Sequence, residues 1–356
     1  YFYLFIFLKK FYLLFKINIE KINEWRECMF YVNTTWKHEN EINEKQTILY
    51  IDTHGYFIEE LILKDDTTVK VKSLKTILKM TDLQNFITNG FVLKKGLFSN
   101  KEIDKLNQYI AIRQDKEESA RETTTSTGKL TMTMWNHPSE DLFGKFSTNE
   151  RIVKPMEIFL NDEVYHYHSK ITAKEPYEGG AWEWHQDYGY WYNNGCLFPF
   201  MATVMIALDK CTKENGCLQV LSGSNKLGRV DHALLESGQV GVDLKRVEEA
   251  KKHLKLVYCE MDPGDVLFFH CNTLHRSDKN NSPNRRWTLL CCYNAARNNP
   301  FIDHHHPKYT PLKKLPNNQI IKAGNKFLDV KDVDTFLKRP TAPPELSKKS
   351  GKLYNA

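Results

Sequence analysis

The sequence predicts a mainly β chain with flanking helices. Short runs rich in β-branched and aromatic residues recur from Val164 onward, and Gly, Pro and Asn clusters break them apart. Helical spacing of apolar residues is confined to segments before these runs and to one insertion among them. The runs are Val164–Ala173, Trp182–Asp187, Ala202–Leu208, Cys217–Leu221, Leu256–Glu260, Val266–His270 and Trp287–Tyr293. Many short strands of this kind each have an apolar face to bury, and they bury it by forming a sandwich or a barrel.

The chain opens on Tyr1-Phe2-Tyr3-Leu4-Phe5-Ile6-Phe7-Leu8, then Lys9-Lys10 and the apolar run Phe11 to Phe15. Neither run reaches the roughly 20 apolar residues of a spanning helix. No basic region precedes them and no small-residue cleavage site follows, so a signal peptide is disfavoured. They read as a fragment or over-extended reading frame without packed structure, in preference to a membrane anchor. Residues 16 to about 80 are rich in Lys, Asn, Ile and Glu, with short strands expected at Thr47–Ile51 and Thr68–Val71. Beyond them, Asp82 to Thr88 reads as a short helix stopped by Asn89-Gly90, and Phe91–Lys94 as a strand. Ser99-Asn100-Lys101-Glu102 is a capping box ahead of Ile103, Leu106 and Ile110 at helical spacing. Residues 224–254 form a Lys/Glu-rich insertion, helical near Leu244–Leu254. From Leu312 the chain, with Pro340, Pro343 and Pro344, reads as a surface wrap ending in a flexible tail.

At 356 residues the chain can bury one large core or two modest ones. Its net charge of +6 is spread over interleaved Lys and Glu, which argues for a solvated surface and against a nucleic-acid footprint. The eight Cys have no Cys-x-x-Cys spacing, and several fall inside apolar strand patterns, where a free thiol packs as a small hydrophobe. A reduced, cytoplasmic setting is expected over a disulfide scaffold. The last residues, Leu353-Tyr354-Asn355-Ala356, are not the Ser-Lys-Leu type of peroxisomal address.

Chemistry concentrates in Trp184-His185-Gln186-Asp187 and, far downstream, in His275-Arg276-Ser277 followed by Arg286. A His-x-Asp pair with a distant second His is the ligand set of a 2-His-1-carboxylate iron site, which leaves positions open for a co-substrate and oxygen. If the segment is extended, His185 and Asp187 point to the same side. The second His follows a turn, Asp262-Pro263-Gly264-Asp265, and a strand. Arg286 supplies a two-pronged, permanently charged clamp for a carboxylate. Its rival is Arg285, and because adjacent strand residues face opposite sides only one of the two can point inward. The bland alternative is a set of ordinary polar residues at strand ends.

From about Phe86 to Pro300 the chain resembles the phytanoyl-CoA dioxygenase family of Fe(II)/2-oxoglutarate oxygenases. The resemblance rests on Asn89-Gly90-Phe91-Val92, Lys174-Glu175-Pro176, Trp184-His185-Gln186-Asp187 and Asn215-Gly216-Cys217-Leu218-Gln219-Val220. It continues through Pro263-Gly264-Asp265 and the stretch from His275 to Arg286 with Ser277, Asn280 and Ser282. Where many relatives have Pro-Gly-Ser-His, this chain reads Ser222-Gly223-Ser224-Asn225, so that His has no counterpart here. A Lys that some members place upstream to hold the co-substrate has no match in register; Lys129 is merely nearby.

The resemblance implies a double-stranded β-helix, the jelly-roll or cupin-like core, over 81–312, with 1–80 a poorly structured N-terminal extension and 313–356 a C-terminal wrap and tail. It implies Fe(II) held by His185, Asp187 and His275, with 2-oxoglutarate and O2 as co-substrates. Retention of Asp187 favours hydroxylation, since related halogenating enzymes lack this carboxylate. Arg286 and Ser277 are expected on the distal carboxylate of 2-oxoglutarate, with Trp182, Thr172 and His168 walling or facing that pocket. His166, His168, Lys170 and Thr172 alternate and are expected on one strand face, for which solvent exposure is the plain alternative. Tyr188, Tyr190, Trp191 and Tyr192 follow the carboxylate at once and are expected to line a substrate mouth, Tyr188, Tyr190 and Trp191 foremost. His304-His305-His306 lies in a Pro-flanked loop and reads as a surface feature. His270 is expected on the face opposite His275. The expected activity is hydroxylation of an aliphatic C–H of a small-molecule or lipid-like substrate, with succinate as co-product. The rival readings are an inactive ligand-binding member of the fold and a cupin-type metal hydrolase or isomerase. Neither substrate identity nor oligomeric state is legible.

Overall fold

The computed structural model describes residues 31–33, 46–51, 56–62, 68–75, 78–114, 121–138 and 141–323. The apolar run at 1–15 and the prolines of the tail lie outside the described residues. Two compact units divide between Met80 and Thr81. In the first, expected to be a poorly structured extension, strands β1 (Tyr31–Asn33), β2 (Gln46–Ile51), β3 (Tyr56–Ile62) and β4 (Thr68–Lys75) pair in chain order as an antiparallel meander. The two strands expected there fall within β2 and β4.

The second unit opens with helix α1 (Met80–Asn89), strand β5 (Phe91–Lys94) and helix α2 (Asn100–Gln114). The capping box forms: the backbone N–H of Ser99 donates to Glu102 Oε2 at 2.9 Å, and that of Glu102 to Ser99 Oγ at 3.4 Å. Ile103, Leu106 and Ile110 are buried as their spacing requires, each contributing about 1.5–3 kcal/mol by removal from water. Strands β6 (Arg121–Thr125) and β7 (Gly128–Trp135) follow, then helices α3 (Leu142–Ser147) and α4 (Glu150–Leu160). Next come β8 (Val164–Lys174), β9 (Trp182–His185), helix α5 (Asp187–Trp191), β10 (Met201–Ala207) and β11 (Leu218–Leu221). The insertion holds β12 (His232–Leu234), β13 (Val240–Val242) and helix α6 (Leu244–His253). The chain returns through β14 (Leu256–Cys259), β15 (Val266–His270), β16 (His275–Ser277) and β17 (Arg286–Ala295), and ends its described part at helix α7 (Gln319–Lys322).

These strands build a seven-stranded antiparallel sheet, order β5-β15-β10-β17-β8-β7-β6, and a four-stranded one, order β14-β11-β16-β9. Side chains from both sheets meet in one apolar cluster, with Met205, Leu267, Phe269 and Leu290 from the large sheet and Leu218, Val220 and Cys259 from the small one. Two antiparallel sheets joined by crossing connections around a shared interior are the double-stranded β-helix. The turn before β15 shows why its glycine is needed. Gly264 has φ +89°, and a Cβ there would lie 2.1 Å from the Phe98 carbonyl oxygen. Asp265 accepts from the N–H groups of Gly96 and Asp262, each at 2.7 Å. All seven described Cys are buried and free, packing as the apolar patterns require. Among the described residues no helix is long and apolar enough to cross a membrane.

Candidate active site

Register fixes which side chains face the interior. Thr203, Met205 and Ala207 of β10 stand opposite Cys292, Leu290 and Thr288 of β17. These in turn stand opposite His168, Lys170 and Thr172 of β8. Since Met205 and Leu290 belong to the cluster shared with the small sheet, this is the inner face. Arg286 and Lys174 form the next pair along it. The expected alternating stripe on β8 is broken at its start. A register shift between Cys292 and Tyr293 sets His166 opposite Tyr293 on the outer face, where its Nε2 meets Ser169 Oγ at 2.7 Å. His168 and Thr172 keep the inner face, and both are buried instead of facing solvent.

His185 and His275 stand opposite each other on β9 and β16, ring centroids 4.1 Å apart. Each Nδ1–H donates to a backbone carbonyl two residues earlier, Glu183 at 2.7 Å and Thr273 at 2.9 Å. That leaves both Nε2 lone pairs toward the interior. Asp187 reaches the same point by a route the sequence pattern did not foresee. The strand ends at His185, Gln186 stays extended, and Asp187 opens the short helix α5. One atom from each of the three side chains lies within 4.8 Å of the others, and His275 Nε2 is 3.9 Å from Asp187 Oδ1. Thr203 Oγ1 donates to Asp187 Oδ2 at 2.6 Å, holding the carboxylate from the opposite sheet.

Burial pushes His185 well below the ordinary imidazole range and pushes His275 down as well. For Asp187 burial works upward, but His275, Lys170, His185 and the Thr203 hydroxyl together outweigh it and hold the carboxyl below its usual value. Two neutral imidazoles and one ionised carboxylate are the protonation states a divalent cation requires. With both Nδ1 positions anchored and one carboxylate oxygen anchored, the donor set fits a 2-His-1-carboxylate iron centre.

Gln186, between two of these residues, is held by the insertion and by Asn272. Its N–H donates to His232 Nε2 at 2.9 Å, its Oε1 accepts from Val230 N at 2.7 Å, and its Nε2 donates to the carbonyls of Gly228 and Asn272, both at 2.7 Å. His232 Nδ1 in turn donates to Val230 O at 2.8 Å, which fixes its tautomer. Gly189 must be small, because a Cβ there would lie 2.1 Å from the His232 ring.

Arg286 is 2% exposed. Among the described residues its guanidinium donates to the hydroxyls of Thr172 and Thr288, each at 3.4 Å, and its Nε has no hydrogen-bond partner there. Arg285 lies on the other side, in an exposed ion pair with Asp209 at 3.1 Å and over the Trp287 ring. Lys174, which motif reading did not single out as a site residue, is a second buried cation on the inner face; its ammonium donates to the Asp278 carbonyl. Ser277 is buried on β16. A bulge pairs it with Trp182 while His275 pairs with His185, so Trp182 comes to the same side as His185 although three residues away.

The aromatic run divides. Tyr190 lies 5.9 Å from the His185 ring. Tyr188 and Trp191 are buried in a packed cluster with Tyr165, Tyr167 and Cys292, and the Tyr188 hydroxyl donates to Cys196 and Leu197 carbonyls at 3.0 and 2.6 Å. Of the three aromatics expected at a substrate mouth, Tyr190 is thus the one placed against the His185 ring. His168 lies 5.7 Å from the Trp191 ring. His270 pairs with Ala202, on the outer face, beside Phe86. Thr203, Gln186, His232 and Lys174 escaped sequence reasoning, since single polar residues in strands and insertions carry no spacing signal.

The phytanoyl-CoA dioxygenase family profile matches residues 86–288. The chain is 29% identical over 195 residues to L-proline trans-4-hydroxylase of Streptomyces griseoviridis, covering 49% of this chain and 70% of that protein. It is 26% identical over 284 residues to peroxisomal phytanoyl-CoA dioxygenase of Bos taurus, covering 73% and 81%. The crystal structure of EctD from S. alaskensis with bound Fe superposes with a TM-score of 0.58 at 19% identity, covering 68% of this chain and 89% of that one. The interior cations, the His-Asp-His cluster and the family match agree: the chain belongs to the phytanoyl-CoA dioxygenase family of Fe(II)- and 2-oxoglutarate-dependent oxygenases.

Proposed function

We propose that this enzyme hydroxylates an aliphatic C–H of a small-molecule or lipid-like substrate while 2-oxoglutarate is decarboxylated to succinate. Arg286 carries the proposal. A guanidinium buried on the inner face, with no ion pair to a carboxylate among the described residues, is a charge awaiting an anion. 2-Oxoglutarate supplies one. His185, Asp187 and His275 would hold Fe(II), which when bound activates O2 against the co-substrate and the C–H bond. The protein's own part is positional. Arg286 takes the distal carboxylate two-pronged, with the Thr172 and Thr288 hydroxyls beside it and Ser277 and Trp182 on the facing strands. Thr203 keeps Asp187 turned to the iron, and the enclosed interior keeps water from competing for the reacting centre. His168 would face the co-substrate, and Tyr190, 5.9 Å from the His185 ring, would stand at the substrate mouth. The relatives named for L-proline and ectoine support a small-molecule substrate. The test is incubation of iron-loaded protein with 2-oxoglutarate, O2 and a metabolite extract. Succinate should appear together with a product one oxygen atom heavier than its precursor. No 2-oxoglutarate consumption with any extract would overturn the proposal.

A further inference from the structure

The loop after β17 carries His304, His305 and His306, and it is more than the surface feature its sequence predicts. His304 and His305 are exposed, whereas His306 is half-buried. The His306 ring stacks on Tyr167 of β8, centroids 4.3 Å apart and planes 7° apart, and lies 5.1 Å from the His168 ring. Its Nδ1 is 3.3 Å from Asn194 Nδ2, and Asn136 donates to the His305 carbonyl at 2.7 Å. Backbone and ring are thus held by separate parts of the barrel.

On this fixed loop one nitrogen from each ring lies within 4.8 Å of the other two. Nδ1 of His304 and Nδ1 of His306 are 3.1 Å apart. Two imidazole nitrogens sharing a metal at ~2.0–2.1 Å, with tetrahedral or octahedral angles, stand ~3.0–3.4 Å apart. The observed separation has that bite. In the metal-free loop the two nitrogens share a hydrogen bond, and a cation held by both would take the place of its proton.

We propose that His304, His305 and His306 form a second metal site, taking a borderline divalent cation such as Zn(II), Ni(II) or Cu(II). An all-imidazole set suits these ions, while Mg(II) and Ca(II) require oxygen donors. The adjacent carboxylate, Asp303, is turned away to Lys308 at 2.7 Å. The two exposed histidines leave the solvent side open for entry and for a completing water. A cation here ties the loop to β8 through His306 and Tyr167, at the strand position next to His168. The site shares no residue with His185, Asp187 and His275 and does not depend on their role.

The test is equilibrium dialysis of untagged, metal-stripped protein against Zn(II), counting bound equivalents. One equivalent should persist in His185→Ala/His275→Ala and vanish in His304→Ala/His305→Ala. Wild-type protein and the His185→Ala/His275→Ala variant should both melt higher with Zn(II) through this site. Because residues 304 and 305 are exposed, their replacement should leave the metal-free melting temperature unchanged. Should it fall, His304→Gln/His305→Gln keeps side-chain bulk and must show the same lost equivalent. Undiminished zinc binding in the His304/His305 variants, or none in His185→Ala/His275→Ala, overturns the site.

Discussion

Arg286→Met separates a charge kept for binding from one kept for folding. The wild-type guanidinium is 2% exposed, with two threonine hydroxyls at 3.4 Å and no ion pair among the described residues. Burial alone pushes its pKa below the ordinary arginine value. Replacing a poorly compensated buried charge by an apolar side chain of similar length is neutral or stabilising by about 1–4 kcal/mol. For a chain of this size that is a rise of about 1–5 °C in the metal-free melting temperature when the gain is realised. The effect on 2-oxoglutarate runs the other way. A desolvated carboxylate deprived of its partner loses about 3 kcal/mol or more, which is at least a ~100-fold weaker dissociation constant. Scanning fluorimetry without ligand reads the first effect. Calorimetric titration of 2-oxoglutarate into Mn(II)-loaded protein reads the second. Arg286→Lys should fall between, having the charge without the fork. A several-degree fall in metal-free melting temperature with unchanged 2-oxoglutarate affinity would show the guanidinium to be structural, joined to Thr172 and Thr288 for its own sake.

Arg285→Ala should leave 2-oxoglutarate affinity unchanged and stability within about 1 kcal/mol, because its pair with Asp209 is solvated; calorimetry and melting check both. His232→Leu should weaken Fe(II) binding about 10–100-fold in an anaerobic titration by freeing Gln186 between His185 and Asp187, and His232→Gln, which keeps an acceptor, should recover most of it. Equal affinities in both variants would remove His232 from the positioning of the site. Burial holds His166 at about 3 and His232 and His270 at about 4, below their unfolded values near 6.5, so the unfolded chain binds protons that the folded one refuses. Stability should therefore be complete above about pH 6.5 and fall through acid toward pH 4, by up to about 2 kcal/mol per histidine between pH 7 and 5; a urea midpoint that rises on acidification contradicts this. Protein starting at Met80 should fold and bind 2-oxoglutarate like the full chain, whereas an insoluble product would assign residues 1–79 a part in the fold.

Strands buried on both faces were legible because their apolar runs are continuous, and β5 and β15 have the bounds their sequence predicts. Helix α4 was not legible, since Pro155 sits inside it and reads as a breaker, although it stands where its missing N–H costs one bond of the first turns. Strands β6 and β7 were missed because their Thr- and Lys-rich stretch does not alternate; of β7 only Leu130 and Trp135 are buried. That Arg286 and Arg285 face opposite sides follows from the period of a strand, while the choice of Arg286 as the inward one rests on the family spacing. His166 shows where that period fails: one extra residue opposite the Cys292–Tyr293 step turns it to the far side, and no local pattern announces a bulge.

The His185–Asp187 spacing worked for a different reason than alternation. A strand residue and a helix N-terminal residue converge here only because Gln186 is fixed through its amide N–H and both side-chain polar atoms, and because Thr203 reaches across from the large sheet. The spacing is short enough to be read in sequence, but the forces that make it a site come from residues 203, 228, 230, 232 and 272. The same division holds for the co-substrate end. Arg286 and Lys174 are neighbours across β17 and β8; burial lowers the pKa of both, and Arg286 lowers that of Lys174 further. A fold selected for stability alone would replace both by apolar side chains. Two adjacent buried basic side chains carry a cost in stability, which an anion held between the sheets would offset.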